Sequence, residues 1–258
     1  MATRIIIIGS GNVAEQLALA VSEATELELV QLYARNAERG PRVAQMAHTA
    51  WCNRPEELRE ADLYLVAVSD RAVAEVASSL PIPAEAVVAH TAGSVALEAL
   101  LPHPHRAILY PFQSFSAGRR VDFGPIPLFL EASSEEAMSV VERVAKALSK
   151  CIYRASSEQR RRIHLAGVIC NNFTNCLYQL ALQTIREAGL PYEVLHALME
   201  ETAQKAIAAQ EPAQVQTGPA RRGDTTTQQR HLELIEDERL KQLYELISQT
   251  RWETSKKI

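Results

Sequence analysis

Short apolar runs alternate with stretches of helical periodicity through the first half of the chain. The runs are apolar along their whole length, which is typical of strands buried on both faces of a sheet. The pattern predicts strands over 5–8, 27–33, 50–52, 63–68, 87–91, 106–110 and 127–131. It predicts helices over 13–24, 39–48, 71–80, 95–101 and 134–148, with a helical turn over 56–60. We therefore expect an α/β fold with a doubly wound, mostly parallel sheet.

The pattern changes near residue 152, and from Glu158 onward it contains no convincing strand. Helical periodicity covers 159–188, 192–209 and 232–250. Residues 211–227 are rich in Pro, Gly, Gln and Thr and predict a long loop, which is uncommon in a compact domain unless it has a function. We therefore expect two domains, a sheet domain over 1–151 and an all-helical domain over 152–258.

The composition narrows the class of protein. The chain has 258 residues, a net charge of −4 and a pI near 6.0, so nothing indicates a nucleic-acid partner. The short arginine runs at 160–162 and 221–222 are interpreted as solvated or cofactor-facing charges. No apolar run approaches the roughly 20 residues that a membrane span needs, and 5–8 is too short for a secretory signal. We therefore expect a cytoplasmic protein without a membrane partner.

The four cysteines show neither C-x-x-C spacing nor nearby paired histidines. This pattern argues against a zinc site and against a disulfide framework. We interpret them as reduced, buried thiols and expect no metal. They are Cys52, Cys151, Cys170 and Cys176.

The sequence GSGNVA joins the first predicted strand to the first predicted helix. Gly9 allows a tight turn, Gly11 lets a pyrophosphate approach the backbone, and Ala14 keeps the helix close to the sheet. The N–H groups and dipole of the helix N-terminus favour phosphate. We predict that the whole turn binds a dinucleotide cofactor, through Gly9, Ser10, Gly11, Asn12, Val13 and Ala14.

Arg35 follows the second strand, about 20 residues beyond the turn, where NAD sites usually carry an acidic residue. A guanidinium suits the 2′-phosphate of NADP, and Asn36 can add a hydrogen bond. The sequence therefore favours NADP, with a surface arginine as the alternative. The ends of later strands face the same crevice. We predict cofactor contacts there from Val68, Ser69, Thr91, Ala92 and Gly93, and interpret His90 as a packed strand residue.

Several segments together resemble the Rossmann-like proteins that carry the DUF2520 domain. They are GSGNVA, YARN, DLYLVAVSDRAV, HTAGS, LYPFQSFS and HLAGVICNNFTN. The combination of residues 110–116 with 171–175 is the most specific part. These proteins are NADP-dependent oxidoreductases related to pyrroline-5-carboxylate reductase and to the 6-phosphogluconate dehydrogenase superfamily. The resemblance implies an N-terminal Rossmann domain, a C-terminal helical dimerisation domain that forms a homodimer, and a cleft between them, but no particular substrate.

In the related hydroxyacid dehydrogenases the first long helix of the second domain carries Lys-x-x-x-Asn. Matching its asparagine to Asn172 puts Val168 at the lysine position, and valine cannot transfer a proton. On a continuous α-helix His164, Asn172 and Asn175 share a face. We hypothesise that these three residues are catalytic, with His164 as the acid or base because imidazole titrates near neutral pH. The alternative is that the asparagines satisfy neighbouring backbone and the histidine is structural.

Two loops could complete the site. Residues 111–116 follow a strand, and 216–224 lie in the long loop, from which Arg222 would reach an anionic substrate in the partner subunit of a dimer. We predict an NADP-dependent oxidoreductase that reduces a small carbonyl or imine. Two alternatives stay open: an enzyme that reduces NADP with a deazaflavin, and a non-catalytic NADP sensor or scaffold.

Overall fold

The computed structural model describes residues 2–250, in which one eight-stranded sheet is built in the order β3-β2-β1-β4-β5-β6-β7-β8. Strands β1 to β6 are parallel, β7 is antiparallel to β6, and β8 is parallel to β7. The strands are β1 (Thr3–Ile8), β2 (Leu27–Tyr33), β3 (Ala50–Cys52), β4 (Leu63–Val66), β5 (Val87–His90), β6 (Arg106–Pro111), β7 (Leu128–Ala132) and β8 (Ile152–Arg154). The predicted doubly wound, mostly parallel sheet is confirmed.

Helices cover both faces of the sheet and then make up the C-terminal part. They are α1 (Asn12–Glu23), α2 (Arg39–Met46), α3 (Val73–Ser79), α4 (Glu135–Leu148), α5 (Ser157–Gly167), α6 (Thr174–Glu187), α7 (His196–Ala208), α8 (Pro219–Arg222), α9 (Thr225–Leu234) and α10 (Glu238–Gln249). A π-helical segment, Val168–Phe173, separates α5 from α6. Short 3-10 turns lie at Pro55–Glu57, Asp70–Ala72, Leu97–Leu100, Tyr192–Leu195 and Pro212–Val215.

The four isoleucines of β1 show why the strands are apolar at every position. Ile5 and Ile7 belong to the core that contains residues of α1, α2 and α4, whereas Ile6 and Ile8 belong to the core that contains residues of α3. All four are buried because alternate side chains point to opposite faces, and both faces are covered.

The chain divides into two compact units, 1–173 and 174–258. The first unit extends beyond the boundary predicted at 151 because β8 pairs with β7 and α5 is anchored to the sheet. Arg160 of α5 is almost fully buried and forms an ion pair with Glu131 of β7. The reading of the 160–162 run as solvated or cofactor-facing charge is therefore wrong for Arg160. The pattern missed β8 because it has only three residues, two of them exposed.

The second unit contains α6 to α10, and none of the residues 174–250 is buried in the single chain. The loop predicted over 211–227 instead contains a 3-10 turn, α8 and the start of α9. Arg221 folds this segment by donating to the carbonyls of Ala213, Gln214 and Gln216 at 2.8–3.0 Å. The helix predicted over 232–250 is interrupted between α9 and α10, where Asp237 caps α10.

The cysteines differ from the prediction of four buried thiols. All four are free, but only Cys52 is buried, Cys151 is half-buried, and Cys170 and Cys176 are exposed. The two exposed thiols lie on the helical stretch around the end of the first unit, where the single chain covers few side chains. Among the helices of residues 2–250, none is long and apolar enough to cross a membrane.

His90, the last residue of β5, is fully buried, which confirms its interpretation as a packed strand residue. Its Nδ1 accepts the Ala92 N–H at 3.1 Å, and its Nε2 lies 3.3 Å from the Ala96 carbonyl oxygen. This pattern fits a neutral ring with the proton on Nε2. Burial lowers the pKa of His90 to about 4, and the nearby positive charge of Arg160 acts in the same direction.

We expect His90 to make the stability of the fold depend on pH. His90 has its ordinary pKa of 6.5 in the unfolded chain and a pKa of about 4 in the native state. At a pH between these two values the unfolded chain binds a proton that the native state does not. The contribution of His90 to the free energy of unfolding is therefore complete above pH 6.5. It falls by about 3 kcal/mol as the pH decreases toward 4. Urea denaturation from pH 4 to 8 should show this slope in the wild type and its loss in His90→Asn, which keeps an acceptor for Ala92. Parallel curves for the two proteins would contradict the prediction.

Candidate functional site

The GSGNVA turn lies where the sheet order reverses, between β1 and β4. Gly9 has φ +125°, and a Cβ at this position would lie 2.3 Å from the carbonyl oxygen of Ala67. Its N–H donates to the Tyr33 carbonyl at the end of β2. Only glycine fits this approach, so the turn is fixed against the ends of two neighbouring strands. Ligands of doubly wound folds bind at this reversal.

Gly11 provides the opening that a phosphate needs. It is the N-cap of α1, no side chain caps that helix, and nothing within the described chain lies within 4 Å of where its Cβ would be. The N–H groups of the first turn are therefore open to a ligand, and Ala14 packs the helix against the sheet. The residues present fit a dinucleotide pyrophosphate.

Arg35 and Asn36 follow β2, and both are exposed. The Asn36 Oδ1 accepts the backbone N–H groups of Glu38 at 3.0 Å and Arg39 at 2.8 Å, so its oxygen is used to start α2. The side chain of Asn36 consequently has only its N–H groups left for a ligand, whereas the Arg35 guanidinium faces solvent.

Asn12 has a structural role that its place in the turn did not predict. Its Oδ1 accepts from Arg39 Nη2 at 2.6 Å, and its Nδ2 donates to the Phe115 carbonyl at 2.9 Å. The side chain therefore connects the GSGNVA turn to the start of α2 and to the segment after β6. Phe115 is one residue beyond Ser114, which lines a cavity in the same unit.

The remaining predicted cofactor residues lie after β4 and β5. Val68 and Ser69 are at least partly exposed, whereas Thr91, Ala92 and Gly93 are buried. A Cβ on Gly93 would lie 2.7 Å from His164 Nδ1 and from Tyr110 Cζ. Gly93 therefore allows these two side chains to approach the end of β5.

Tyr110 and His164 form the chemical centre of the candidate site. The Tyr110 hydroxyl, at the end of β6, lies 3.3 Å from His164 Nδ1 on α5. Both side chains line a cavity of about 490 Å³. Its other lining residues are Phe112, Gln113, Ser114, Gly167, Val168, Cys170, Asn171 and Asn172.

The Tyr110 phenol remains a proton donor over a wide pH range. Burial raises the pKa of Tyr110, the Asp70 carboxylate raises it further, and the Arg160 guanidinium opposes this. The sequence did not single out Tyr110, since a tyrosine at the end of an apolar strand resembles a packed residue. Residues 111–116 are predicted to complete the site, and three of their side chains line the cavity beside Tyr110: Phe112, Gln113 and Ser114.

Arg160 holds α5, and hence His164, against the sheet. Besides the ion pair with Glu131, its guanidinium donates to the carbonyls of Ala92 and Val95 and to the Ser157 hydroxyl. The helix begins with a capping box formed by Ser156 and Gln159. This S-x-x-Q signal fixes the start of α5, but nothing in the sequence indicates the pairing with Glu131.

The predicted polar face of the long helix is only partly continuous. His164, Val168 and Asn172 line one cavity, as their spacing suggested. The π-helical segment Val168–Phe173 contains Asn172, so the α-helical spacing that relates His164 to Asn175 is not kept across it. Asn175 is exposed and belongs to the second unit, as does the exposed Arg222. Within residues 2–250 there is no group of three His, Cys, Asp or Glu side chains able to hold a metal.

Two family models match the chain. The model described as NADP oxidoreductase, coenzyme F420-dependent, matches residues 4–93. The model of the domain of unknown function DUF2520 matches residues 126–251. Comparison with curated proteins finds no match.

Solved structures give likenesses over the whole chain. A Bacteroides fragilis protein, provisionally described as an NADP oxidoreductase, is 38% identical, with a TM-score of 0.88 over 96% of this chain and 97% of its own. A Thermotoga maritima protein is 23% identical, with a TM-score of 0.73 over 95% of each chain. The 1-pyrroline-5-carboxylate reductase of Streptococcus pyogenes is 13% identical, with a TM-score of 0.66 over 100% of this chain and 99% of its own. The last two likenesses show the fold alone.

The family and the fold thus agree with the resemblance found in the sequence motifs. The chain belongs to the family of the Bacteroides fragilis protein, and it combines a region that matches the NADP-oxidoreductase model with a DUF2520 domain.

Proposed function

We propose that this protein is an NADPH-dependent reductase of a small carbonyl or imine substrate. The observation that carries the proposal is the Tyr110–His164 pair, which lines a cavity in the same compact unit as the open GSGNVA turn. Both features lie at the carboxyl ends of parallel strands, the edge at which doubly wound folds bind ligands. The NADP-oxidoreductase description of the 38%-identical relative supports the same reaction class.

NADPH is the proposed cofactor because Arg35 offers an exposed guanidinium at the end of β2. In this proposal the Gly11 backbone approaches the pyrophosphate and Arg35 binds the 2′-phosphate. When bound, the cofactor supplies the hydride. The chain must then bind the substrate, orient it and supply a proton.

His164 is the proposed proton donor, and Tyr110 positions it. In the acid form the imidazolium donates its Nδ1–H to the Tyr110 oxygen, and Nε2–H carries the proton for the reduced oxygen or nitrogen of the substrate. The Asn172 amide, which lines the same cavity, would hydrogen-bond that atom.

One observation also supports a second function, that of a non-catalytic NADP sensor. Val168 lines the cavity at the position where related dehydrogenases carry the catalytic lysine. A non-catalytic NADP sensor would need no lysine there. The match of residues 4–93 to F420-dependent oxidoreductases also makes a deazaflavin a necessary member of any substrate panel.

We further propose that the second unit forms a homodimer. None of the residues 174–250 is buried in the single chain, although its helices carry large apolar side chains. Leu198, Ile207, Leu234 and Leu246 are each more than 60% exposed. Apolar exposure on this scale is typical of a subunit interface. In such a dimer Arg222 is proposed to meet an anionic substrate in the partner's cleft.

The function is tested by titrating NADPH and NADH by fluorescence and by following cofactor oxidation at 340 nm with carbonyls, imines and an oxidised deazaflavin. We expect tighter binding of NADPH and turnover with a member of the panel. Tight binding without turnover across the panel would favour the sensor. Equal affinity for the two cofactors would contradict the role of Arg35.

The proton donor is tested by His164→Asn and Tyr110→Phe. We expect His164→Asn to lower kcat by about 10²- to 10⁴-fold without changing NADPH affinity. Tyr110→Phe should cost about tenfold, the effect of one hydrogen bond, and should displace the pH profile of kcat. His105→Asn and Tyr153→Phe are matched controls outside the cavity, and an equal loss in them would contradict the assignment.

The dimer is tested by Leu234→Lys, which places a charge in the proposed interface. We expect the wild type to be a dimer by light scattering, and the variant to be monomeric at micromolar concentration with a Tm lower by several degrees. Gln229→Lys adds the same charge at an exposed polar position of α9 and should leave both properties unchanged. A monomeric wild type would contradict the proposal.

A further inference from the structure

A cleft of about 520 Å³ lies between α1, the end of α4 and residues 120–124, all within the first compact unit. We call it the α1 cleft. Phe123 and Leu148, which line it, belong to the core that contains residues of α1 and α4, whereas Tyr110 packs against the other core. Among the described residues, none lines both this cleft and the cavity around the Tyr110–His164 pair. The α1 cleft is therefore separate from the candidate catalytic site.

Gln16 supplies a hydrogen-bond donor inside the α1 cleft. The residue is only 2% exposed, and its Oε1 accepts the Val121 N–H at 3.0 Å. Because a backbone N–H can only donate, this contact fixes which end of the amide is the oxygen. The Gln16 Nε2 has no hydrogen-bond partner within residues 2–250, yet it is not one of the polar atoms sealed in the core. It therefore opens to the cleft that Gln16 lines, where it can donate to a ligand.

Arg120 adds a cation at the rim of the α1 cleft. Its Nη2 pairs with the Glu23 carboxylate on the last turn of α1, and in the described part of the chain its Nε and Nη1 have no hydrogen-bond partner. Arg120 directly precedes Val121, whose N–H is bonded to Gln16, so the arginine backbone lies beside the Gln16 amide. Both side chains can therefore donate to one carboxylate, which accepts several N–H groups.

The rest of the α1 cleft limits the size and charge of a ligand. Glu23 is compensated by Arg120, whereas Asp122 has no ion pair among residues 2–250, and its Oδ1 accepts the Gly124 N–H at 2.9 Å. The uncompensated Asp122 carboxylate repels a dianion more strongly than a monoanion. The apolar lining side chains are Leu19, Ala20, Phe123, Ala147 and Leu148.

We propose that the α1 cleft binds a small organic monocarboxylate with an apolar body. The carboxylate accepts from Gln16 Nε2 and from the Arg120 guanidinium, and the apolar body packs on the α1 and α4 walls. The site uses none of the residues proposed for NADPH binding or for proton transfer. It is thus a second small-molecule site on the first unit, and it does not depend on the proposed function.

The contacts around the α1 cleft give such a ligand a regulatory position. Asn12, Gln16 and Glu23 lie four and seven residues apart on one side of α1, and all three contact the segment 115–121. This segment follows Ser114, which lines the cavity around the Tyr110–His164 pair. A ligand in the cleft therefore contacts the side chains that hold this segment against α1.

The experiment is calorimetric titration of the full chain with phenylacetate, phenylacetamide and phenethylamine, which share an apolar body and differ in charge. We expect phenylacetate to bind about tenfold more tightly than the amide, and the amine not to bind. Arg120→Gln should weaken phenylacetate binding about tenfold, as the loss of a charged hydrogen bond does. Asp122→Asn should strengthen it, because one repelling charge is removed while the acceptor for Gly124 is kept.

Arg119 provides the matched control for Arg120. It is the neighbouring residue, is exposed, and makes no ion pair or side-chain hydrogen bond to any residue that the structure describes. Arg119→Gln removes the same charge from the same segment and should leave the Kd for phenylacetate unchanged. An equal loss in the two variants would reduce the effect to general electrostatics and overturn the site.

Two further variants test the place of binding. Gln16→Glu keeps the acceptor for Val121 and removes the Nε2 donor, and it should abolish binding. Because that variant also buries a charge, Ala20→Leu is measured as well, since it fills the cleft from α1 and leaves Gln16 in place. Unchanged affinity in a folded Ala20→Leu protein would contradict the proposal.

Tyr110→Phe distinguishes the α1 cleft from the catalytic cavity and should leave phenylacetate binding unchanged. Loss of affinity there, with wild-type affinity in Arg120→Gln, would place the carboxylate in the catalytic cavity and overturn the proposal. Tighter binding of phenethylamine than of phenylacetate, or no binding of phenylacetate to the wild type, would do the same.

Discussion

The ion pair between Arg160 and Glu131 holds together the parts of the first unit that form the candidate site. The guanidinium is almost fully buried and also donates to the carbonyls of Ala92 and Val95, so one side chain joins α5, β7 and the segment after β5. Breaking a buried pair of this kind by removing one partner typically costs about 3–5 kcal/mol, because the remaining charge has no compensation. The pair therefore acts mainly as a constraint on position, since it fixes the helix on which His164 lies.

Two close approaches depend on that position. Gly93 has no side chain to separate the end of β5 from Tyr110 and His164, and Gly167 brings α5 against the ring of Phe112. With α5 held by Arg160, these glycines let a histidine from a helix and a tyrosine from a strand meet at 3.3 Å. Asn12 then connects the GSGNVA turn to Phe115, just beyond the cavity-lining residues of the segment after β6. The GSGNVA turn and the cavity are thus connected by side-chain contacts inside a single unit.

The sequence predicted the features that depend on local pattern. Strands buried on both faces are apolar throughout, so β1, β2 and β4 were found, and the Gly9 turn follows from its place between strand and helix. Features that depend on distant pairing were not found. Arg160 lies in an arginine run that resembles solvated charge, and only the sheet supplies Glu131. The π-helical segment has no local signal either, and it interrupts the α-helical spacing that relates Asn175 to His164.

The second unit shows the limit of apolar periodicity as an indicator of burial. Its helices were predicted because leucines and isoleucines recur at helical spacing, yet no residue from 174 to 250 is buried in the single chain. Leu234 and Ile207 are among its most exposed side chains. Apolar residues at helical spacing usually indicate burial within one chain, but here they lie on an exposed surface. The same amphipathic pattern is found on helices that pack in a core and on helices that form an interface. In the dimer that we propose, these side chains would gain the burial that their pattern predicts.

The first unit differs because it has two cores of its own and holds both the GSGNVA turn and the Tyr110–His164 pair. The groups proposed for hydride and proton transfer therefore rest on contacts within one chain, whereas Arg222 depends on the partner for any role in the site.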